Sequence, residues 1–217
     1  ASQLYDFGRI PLEVLYPGCD QQFFQARTAR DDGVLRILTV SSLASSARRK
    51  NIDHVLEALR LIKGERLLMY TVIGSGDDRD RLQRKVQVLG IADCVRFLGN
   101  VDDQVLLQEY ASNDVFVLTP RASQRDVEGF GMVYIEANAA GMPVIGSNQG
   151  GAVDAIVAGK TGLVIAESTP TQIAAAIRQL AQHPQTLSEA TIRAHAERFR
   201  WSKIVERFEY FLHQHLH

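Results

Sequence analysis

The chain has 217 residues, enough for one large domain or two small ones, and at this size roughly 70% of the unfolded chain's surface can be buried without disulfide or metal support. Its 24 Lys and Arg stand against 25 Asp and Glu, a balance that excludes bulk electrostatic binding to nucleic acid or an acidic membrane surface. Cys19 and Cys94 sit in no metal-ligand spacing and read as reduced thiols of a cytosolic protein. No run approaches the ~18 apolar residues of a membrane span.

"ASQLYDFGRIP" at residues 1–11 has neither a start methionine nor a hydrophobic strand and reads as the interior of a longer protein. From residue 35 onward short apolar runs alternate with amphipathic stretches. The runs are "LRILTV" (35–40), "LLMYTVIG" (67–74), "VRFLG" (95–99), "DVFVLT" (114–119), "PVIGS" (143–147) and "GLVI" (162–165). Each is short and continuous, as buried parallel strands are. "NIDHVLEALRLIKG" (51–64) carries Ile52, Val55, Leu56, Leu59 and Ile62 at helical spacing. Residues 79–89, 103–111 and 171–182 repeat that pattern, and 184–198 and 201–216 predict two further helices. The last has apolar positions Ile204, Val205, Phe208 and Phe211 that need something to pack on. This alternation predicts a doubly wound, Rossmann-like α/β sheet of about six parallel strands with helices on both faces. Ligands of such sheets bind beyond the carboxyl ends of the strands.

Chemistry concentrates in "DVEGFGMVYIEANAAGMPVIG" (126–146). A polar loop leads through Glu128-Gly129-Phe130-Gly131 into a helix predicted from about Met132. The unpaired N–H groups of Phe130, Gly131, Met132 and Val133 at a helix start suit a phosphate. Glu128 and Glu136 cannot serve the phosphate, because like charges repel. A carboxylate accepts hydrogen bonds, so its natural ligand here is a hydroxyl pair: a ribose diol for Glu136, hydroxyls beyond the phosphates for Glu128. Ribose, diphosphate and a second hydroxylated group together describe a nucleotide-sugar. "IGSGDD" (73–78) lacks GxGxxG spacing and reads as a strand-to-helix turn, with Asp77 and Asp78 as helix-capping acids. The tail histidines His213, His215 and His217 read as frayed surface residues, and no metal site is indicated.

"EGFGMVYIEANAAGMPVIGSNQGG" resembles the donor-binding motif of the retaining GT-B glycosyltransferases (group 1, or family 4, type). "VLYPGCD", "LTVSSL…RRKNIDHVLEAL", "VIGSGDDRDRL", "VRFLGNV", "LLQEYASNDVFVLTP" and "GAVDAIVAGKTGLVI" follow in that family's order, over roughly residues 12–210. In motif form the chain is most similar to bacterial mannosyltransferase-like members. The resemblance implies the C-terminal half of a GT-B fold. Residues 1–13 would end a missing N-terminal domain or linker, 14–200 would be the donor-binding domain, and 201–217 a helix packing back on the missing domain, its apolar face otherwise exposed and driving self-association.

It further implies catalytic roles for Glu128, near the reacting sugar carbon, and Lys50, on the diphosphate. Glu136 would bind ribose, the backbone of Gly129, Phe130, Gly131, Met132 and Val133 would hold sugar hydroxyls and phosphate, and Asn100 and Val101 would meet the base. The donor would be a GDP- or UDP-sugar with no obligatory cofactor and no metal. The acceptor would be a glycan or lipid of cell-envelope polysaccharide biosynthesis, reached through the N-terminal domain. A cytoplasmic protein peripheral to the inner face of the membrane is implied, active only when whole. One departure stands out: the family's Gly-Arg after the first strand is Ser41-Ser42 here, leaving Arg48, Arg49, Arg121 or Arg125 to supply a second cation. A non-catalytic sugar-nucleotide-binding module and a nucleotide-sugar epimerase or other Rossmann-type enzyme are the alternatives. Against a nicotinamide oxidoreductase, "VSSLASS" stands where GxGxxG would follow the first strand.

Overall fold

The computed structural model describes residues 12–28, 30, 32–121 and 129–215. Each apolar run forms a strand: β1 (Val34–Val40), β2 (Leu67–Ile73), β3 (Val95–Gly99), β4 (Val115–Val117), β5 (Val144–Ser147) and β6 (Gly162–Ile165). They make one six-stranded sheet in the order β3-β2-β1-β4-β5-β6. Every pairing is parallel, with Val34 opposite Leu67, Ile37 opposite Val115, Phe116 opposite Val144 and Val144 opposite Gly162. The order reverses between β1 and β4, the point where such sheets open a crevice at their carboxyl edge.

The helices are α1 (Ile52–Ile62), α2 (Arg79–Val88), α3 (Asp103–Ser112), α4 (Met132–Ala139), α5 (Ala152–Ala155), α6 (Pro170–Gln182), α7 (Glu189–Glu197) and α8 (Trp201–His215). Strand residues alternate between two cores. Leu35, Ile37, Val72, Val115 and Val117 face α1, α2 and α6. Leu38, Ile73, Phe116, Leu118 and Val144 face the side on which Tyr110 of α3 and Tyr134 and Ile135 of α4 are buried. Helix starts follow local chemistry. The Asp102 side chain accepts from the Val105 N–H at 2.8 Å to cap α3, and the Thr169 side chain accepts from the Gln172 N–H ahead of Pro170 to cap α6.

Two sequence expectations are corrected, and one short helix was missed. The helix expected over 184–198 is a 3-10 turn, Pro184–Thr186, followed by α7, because Pro184 and Ser188 interrupt it. The short α5 was not anticipated, since four residues carry too little periodicity to see. Neither Asp77 nor Asp78 caps α2: Asp78, the residue before it, makes no side-chain cap bond, and Asp77 accepts instead from the N–H and hydroxyl of Ser45. On α8, Ile204 is buried while Val205 and Phe208 are about half exposed (48% and 47%) and Tyr210 more so. Both cysteines are free and buried. Among the described residues no helix is long and apolar enough to cross a membrane.

Candidate functional site

A cleft of about 610 Å³ opens at the carboxyl ends of β1 to β4, inside the roughly 300–1,000 Å³ range of small-molecule sites. Val40, Ser41 and Ser42 leave β1 along one wall with Lys50. Ile73, Gly74 and Ser75 leave β2, Asn100 and Val101 follow β3, and Leu118 ends β4. Gly131, Met132 and Val133 bring the start of α4 to the same space. Of the residues singled out in the sequence, Lys50, Asn100, Val101, Gly131, Met132 and Val133 therefore meet in one cavity. A cavity of similar size lies beside the edge strand β3, lined by Asp80, Arg84 and Phe97, away from the strand ends.

The α4 start owes its shape to Gly131, whose φ of +77° is left-handed and whose added Cβ would lie 2.7 Å from the Tyr134 ring. The Tyr134 N–H bonds to the Gly131 carbonyl at 2.9 Å, so the N–H groups of Met132 and Val133 stand ahead of the helical ladder and face the cleft. Gly129 is less constrained than its place in the motif suggests, having no left-handed φ and open space where a Cβ would sit. The Phe130 ring stacks on Tyr16 at 4.2 Å and leans on Phe199, so this side chain packs against the 14–20 segment, away from the cleft. Glu128 and Arg125 lie outside the described residues.

Glu136 stands one turn beyond Met132, just behind the residues that line the cleft, and keeps part of its surface exposed. Its Oε2 accepts from the Tyr110 hydroxyl at 2.7 Å. Burial raises its pKa; the Tyr110 bond works against that rise and the nearby Asp20 adds to it. The same neighbourhood pushes the Cys19 thiol up to about 12, through burial first and then the charges of Glu136 and Asp20.

The Lys50 wall is built by chain segments far apart in sequence. Residues Ser45–Lys50 form a 3-10 turn, and Asn51 then takes a left-handed φ of +68°. Asp77 accepts from the Ser45 N–H at 2.6 Å and from its hydroxyl at 2.7 Å. Asp78, 4% exposed, accepts from Arg48 and Arg81, and Arg81 with Lys85 also engages Asp53 on α1. Arg48 is thus committed to Asp78, which counts against it as the second cation. Beneath the turn, Gly74 approaches so closely that an added Cβ would lie 1.9 Å from the Ser41 carbonyl oxygen. At the far end Asn51 Nδ2 donates to the Ser168 carbonyl at 2.9 Å, and His54 Nδ1 lies 2.6 Å from the same oxygen. The Ser147 and Ser168 hydroxyls both donate to the Pro120 carbonyl, and the Arg121 N–H donates to the Arg49 carbonyl at 2.8 Å. Ser147, Ser168 and Tyr110 went unnoticed in the sequence. The only trace was a polar residue at the end of a strand for Ser147.

A parallel 3-2-1-4-5-6 sheet with its cleft at the switch point and a glycine-started helix on the cleft defines a nucleotide-type α/β domain. The profile of the family described as Glycosyl transferases group 1 matches residues 20–198, and the chain belongs to that family. The GDP-mannose-dependent alpha-(1-6)-phosphatidylinositol monomannoside mannosyltransferase of Mycobacterium tuberculosis is 34% identical over 181 residues, covering 78% of this chain and 46% of that protein. A monoacylated-substrate counterpart from Corynebacterium glutamicum, named as a GDP-mannose-dependent monoacylated alpha-(1-6)-phosphatidylinositol monomannoside mannosyltransferase, is 30% identical over 216 residues, covering 93% and 56%. Among solved structures, HepE of Anabaena in complex with UDP superposes with a TM-score of 0.79 at 22% identity, covering 93% of this chain and 57% of that one. It shares the GT-B fold. The chain spans about half the length of the relatives it matches.

Proposed function

We propose that the chain is the donor-binding half of a retaining glycosyltransferase that moves a sugar from a nucleoside diphosphate to an acceptor hydroxyl. The observation that carries this reading is the cleft itself: Lys50 and the start of α4 converge on it from opposite sides of the switch point. The Met132 and Val133 N–H groups and the Lys50 ammonium bind the diphosphate and stabilise the charge it gains as the glycosidic bond breaks. Glu136 accepts the ribose hydroxyls, and the base lies against the main chain at Asn100 and Val101. Glu128 would act on the sugar from the loop before α4.

The named mannosyltransferase relatives support a GDP-sugar and a lipid or glycan acceptor, whereas HepE is a UDP complex. The acceptor is reached through a further domain of the whole protein, which works in the cytoplasm at the inner face of the membrane, and residues 201–215 would pack on that domain.

Calorimetric titration with UDP, GDP, ADP and NAD tests the reading. One nucleoside diphosphate should bind, and Lys50→Ala and Glu136→Ala should each weaken it by roughly 1–3 kcal/mol. Binding of NAD alone would overturn it. A second reading, a sugar-nucleotide-binding module without transfer, is favoured by Ser41-Ser42 and by the pairing of Arg48 with Asp78, which leave the diphosphate short of cations. Ser42→Arg separates the two: a degenerate site gains diphosphate affinity, a compensated one gains little.

A further inference from the structure

Helices α3 and α4 face each other across the floor of the cleft. Leu106 of α3 lines it together with Met132 and Val133 of α4. One turn further along each helix, four residues from Leu106 and four from Met132, stand Tyr110 and Glu136. They meet through the 2.7 Å bond from the Tyr110 hydroxyl to Glu136 Oε2. Tyr110 is 1% exposed. Its ring is held edge-on by Phe23 at 5.5 Å and stacked against Phe116 at 6.1 Å, so the phenol has one direction in which to point. The other titratable groups near Glu136 are Asp20 and Cys19, on the segment packed against both helices. Cys19 Sγ donates instead to the Asp20 carbonyl.

We infer that Tyr110 is a positioning residue for Glu136: its hydroxyl ties Oε2 to α3 and leaves Oε1 to accept from a ribose hydroxyl in the cleft. The inference rests on the reading of Glu136 as the ribose-binding carboxylate. A carboxylate that must discriminate a hydroxyl from its absence needs a fixed direction, because a freely rotating acceptor loses the geometric part of the preference. Without the phenol, Oε2 becomes a partly buried acceptor with no partner from α3. The group then turns or takes up a proton, and either event removes the acceptor from the diol.

Tyr110→Phe keeps both ring contacts and deletes only the hydroxyl. Wild type, Tyr110→Phe and Glu136→Gln are titrated calorimetrically with UDP and GDP and with their 2′,3′-dideoxy counterparts, which lack both hydroxyls that Glu136 would accept. Wild type should prefer the ribonucleotide by about tenfold or more. Both variants should lower that preference at least about threefold while leaving the dideoxynucleotide affinity within about twofold of wild type. A merely structural role would weaken ribo and dideoxy forms alike, and an unchanged ratio in Tyr110→Phe overturns the inference. If the ratio also survives Glu136→Gln, the ribose role of Glu136 falls with it. If Glu136→Gln alone collapses the ratio, only the role of Tyr110 falls. A ligand-free measurement stands beside these: in carbon-13 spectra the Glu136 carboxyl should titrate at higher pH in Tyr110→Phe than in wild type. An unchanged midpoint would also overturn the inference.

Discussion

Replacing Asp78 by asparagine separates two roles open to this carboxylate. As a helix cap, asparagine serves about as well as aspartate, and the change would cost almost nothing. As an ionic clamp it would lose its charge while three guanidinium bonds are in place: from Arg48 Nε at 2.8 Å, Arg81 Nε at 2.7 Å and Arg81 Nη2 at 2.6 Å. Bonds of this charged kind contribute about 1.5–3 kcal/mol each. The carboxylate is buried, but the Arg48 and Arg81 side chains are 52% and 33% exposed, so solvent screening reduces the sum. Arg81 also keeps Asp53 at 2.7 Å. A net loss of about 2–3 kcal/mol follows, or about 4–12 °C in Tm for a chain of this length. Thermal unfolding followed by circular dichroism reads it directly. Asp77→Asn, at an exposed site, is the control and should cost less than about 1 kcal/mol. Arg81 first, and then Arg48, holds the Asp78 carboxyl below the usual range against the opposing effect of burial. Its contribution is therefore present above the unfolded-state pKa and lost as pH falls through the lower folded value, so wild type and variant should converge in acid. A variant melting within about 1 °C of wild type at neutral pH would show that the charge holds nothing.

Gly131→Ala should destabilise the domain by about 2–3 kcal/mol, combining about 1–2 for a left-handed alanine with the clash against the buried Tyr134 ring; a loss under about 1 kcal/mol in urea unfolding would mean that the turn simply relaxes. Burial raises the Glu136 pKa, so the folded state takes up a proton more readily than the unfolded one. The group's relative stabilisation of the fold is present below the unfolded-state pKa and lost as pH rises through the folded value. Nucleotide affinity moves the opposite way, falling as pH drops through that raised value, and Glu136→Gln should abolish this step in calorimetric titrations across pH. Along α8, Ile204→Ala should cost about 2–5 kcal/mol because Ile204 is buried, whereas Phe208→Ser should stay within about 0.5 kcal/mol because Phe208 is half exposed. Equal losses in thermal melts would refute the difference in packing.

The sheet was legible because its central strands are largely buried on both faces, which forces continuous runs such as "LRILTV" and leaves little room for another reading. The cleft was legible where local chemistry encloses it: the glycine at 131 with its left-handed backbone, and the lysine just ahead of α1. Asp77 and Asp78 were misread because a carboxylate before a helix looks the same whether it bonds forward to the helix N–H groups or across to Ser45 and Arg48, 32 and 30 residues away. Tyr110 went unnoticed because an aromatic residue inside a helix is ordinarily core, and nothing local marks the one whose hydroxyl meets a carboxylate 26 residues on. The length of β4 was overestimated for a related reason. The Leu118 N–H still bonds the Ile145 carbonyl of β5 at 3.0 Å, but Leu118 itself lines the cleft and the paired strand ends at Val117.

The carbonyls of Pro120 and Ser168 give the Lys50 wall a place in time as well as in space. Asn51 and His54 find their partner at Ser168, 117 and 114 positions downstream. Closing loops of that length is slow compared with forming α1 or pairing β1 with β2. As the chain leaves the ribosome, the β1–β2 unit can assemble well before residue 168 exists, and the Lys50 turn waits for it. Pulse-labelled hydrogen exchange should find the amides of β1 and β2 protected earlier than the Arg121 amide, which bonds the Arg49 carbonyl of the turn; simultaneous protection would contradict this order. The first part of the domain to be synthesised thus contains the last piece of its cleft to lock.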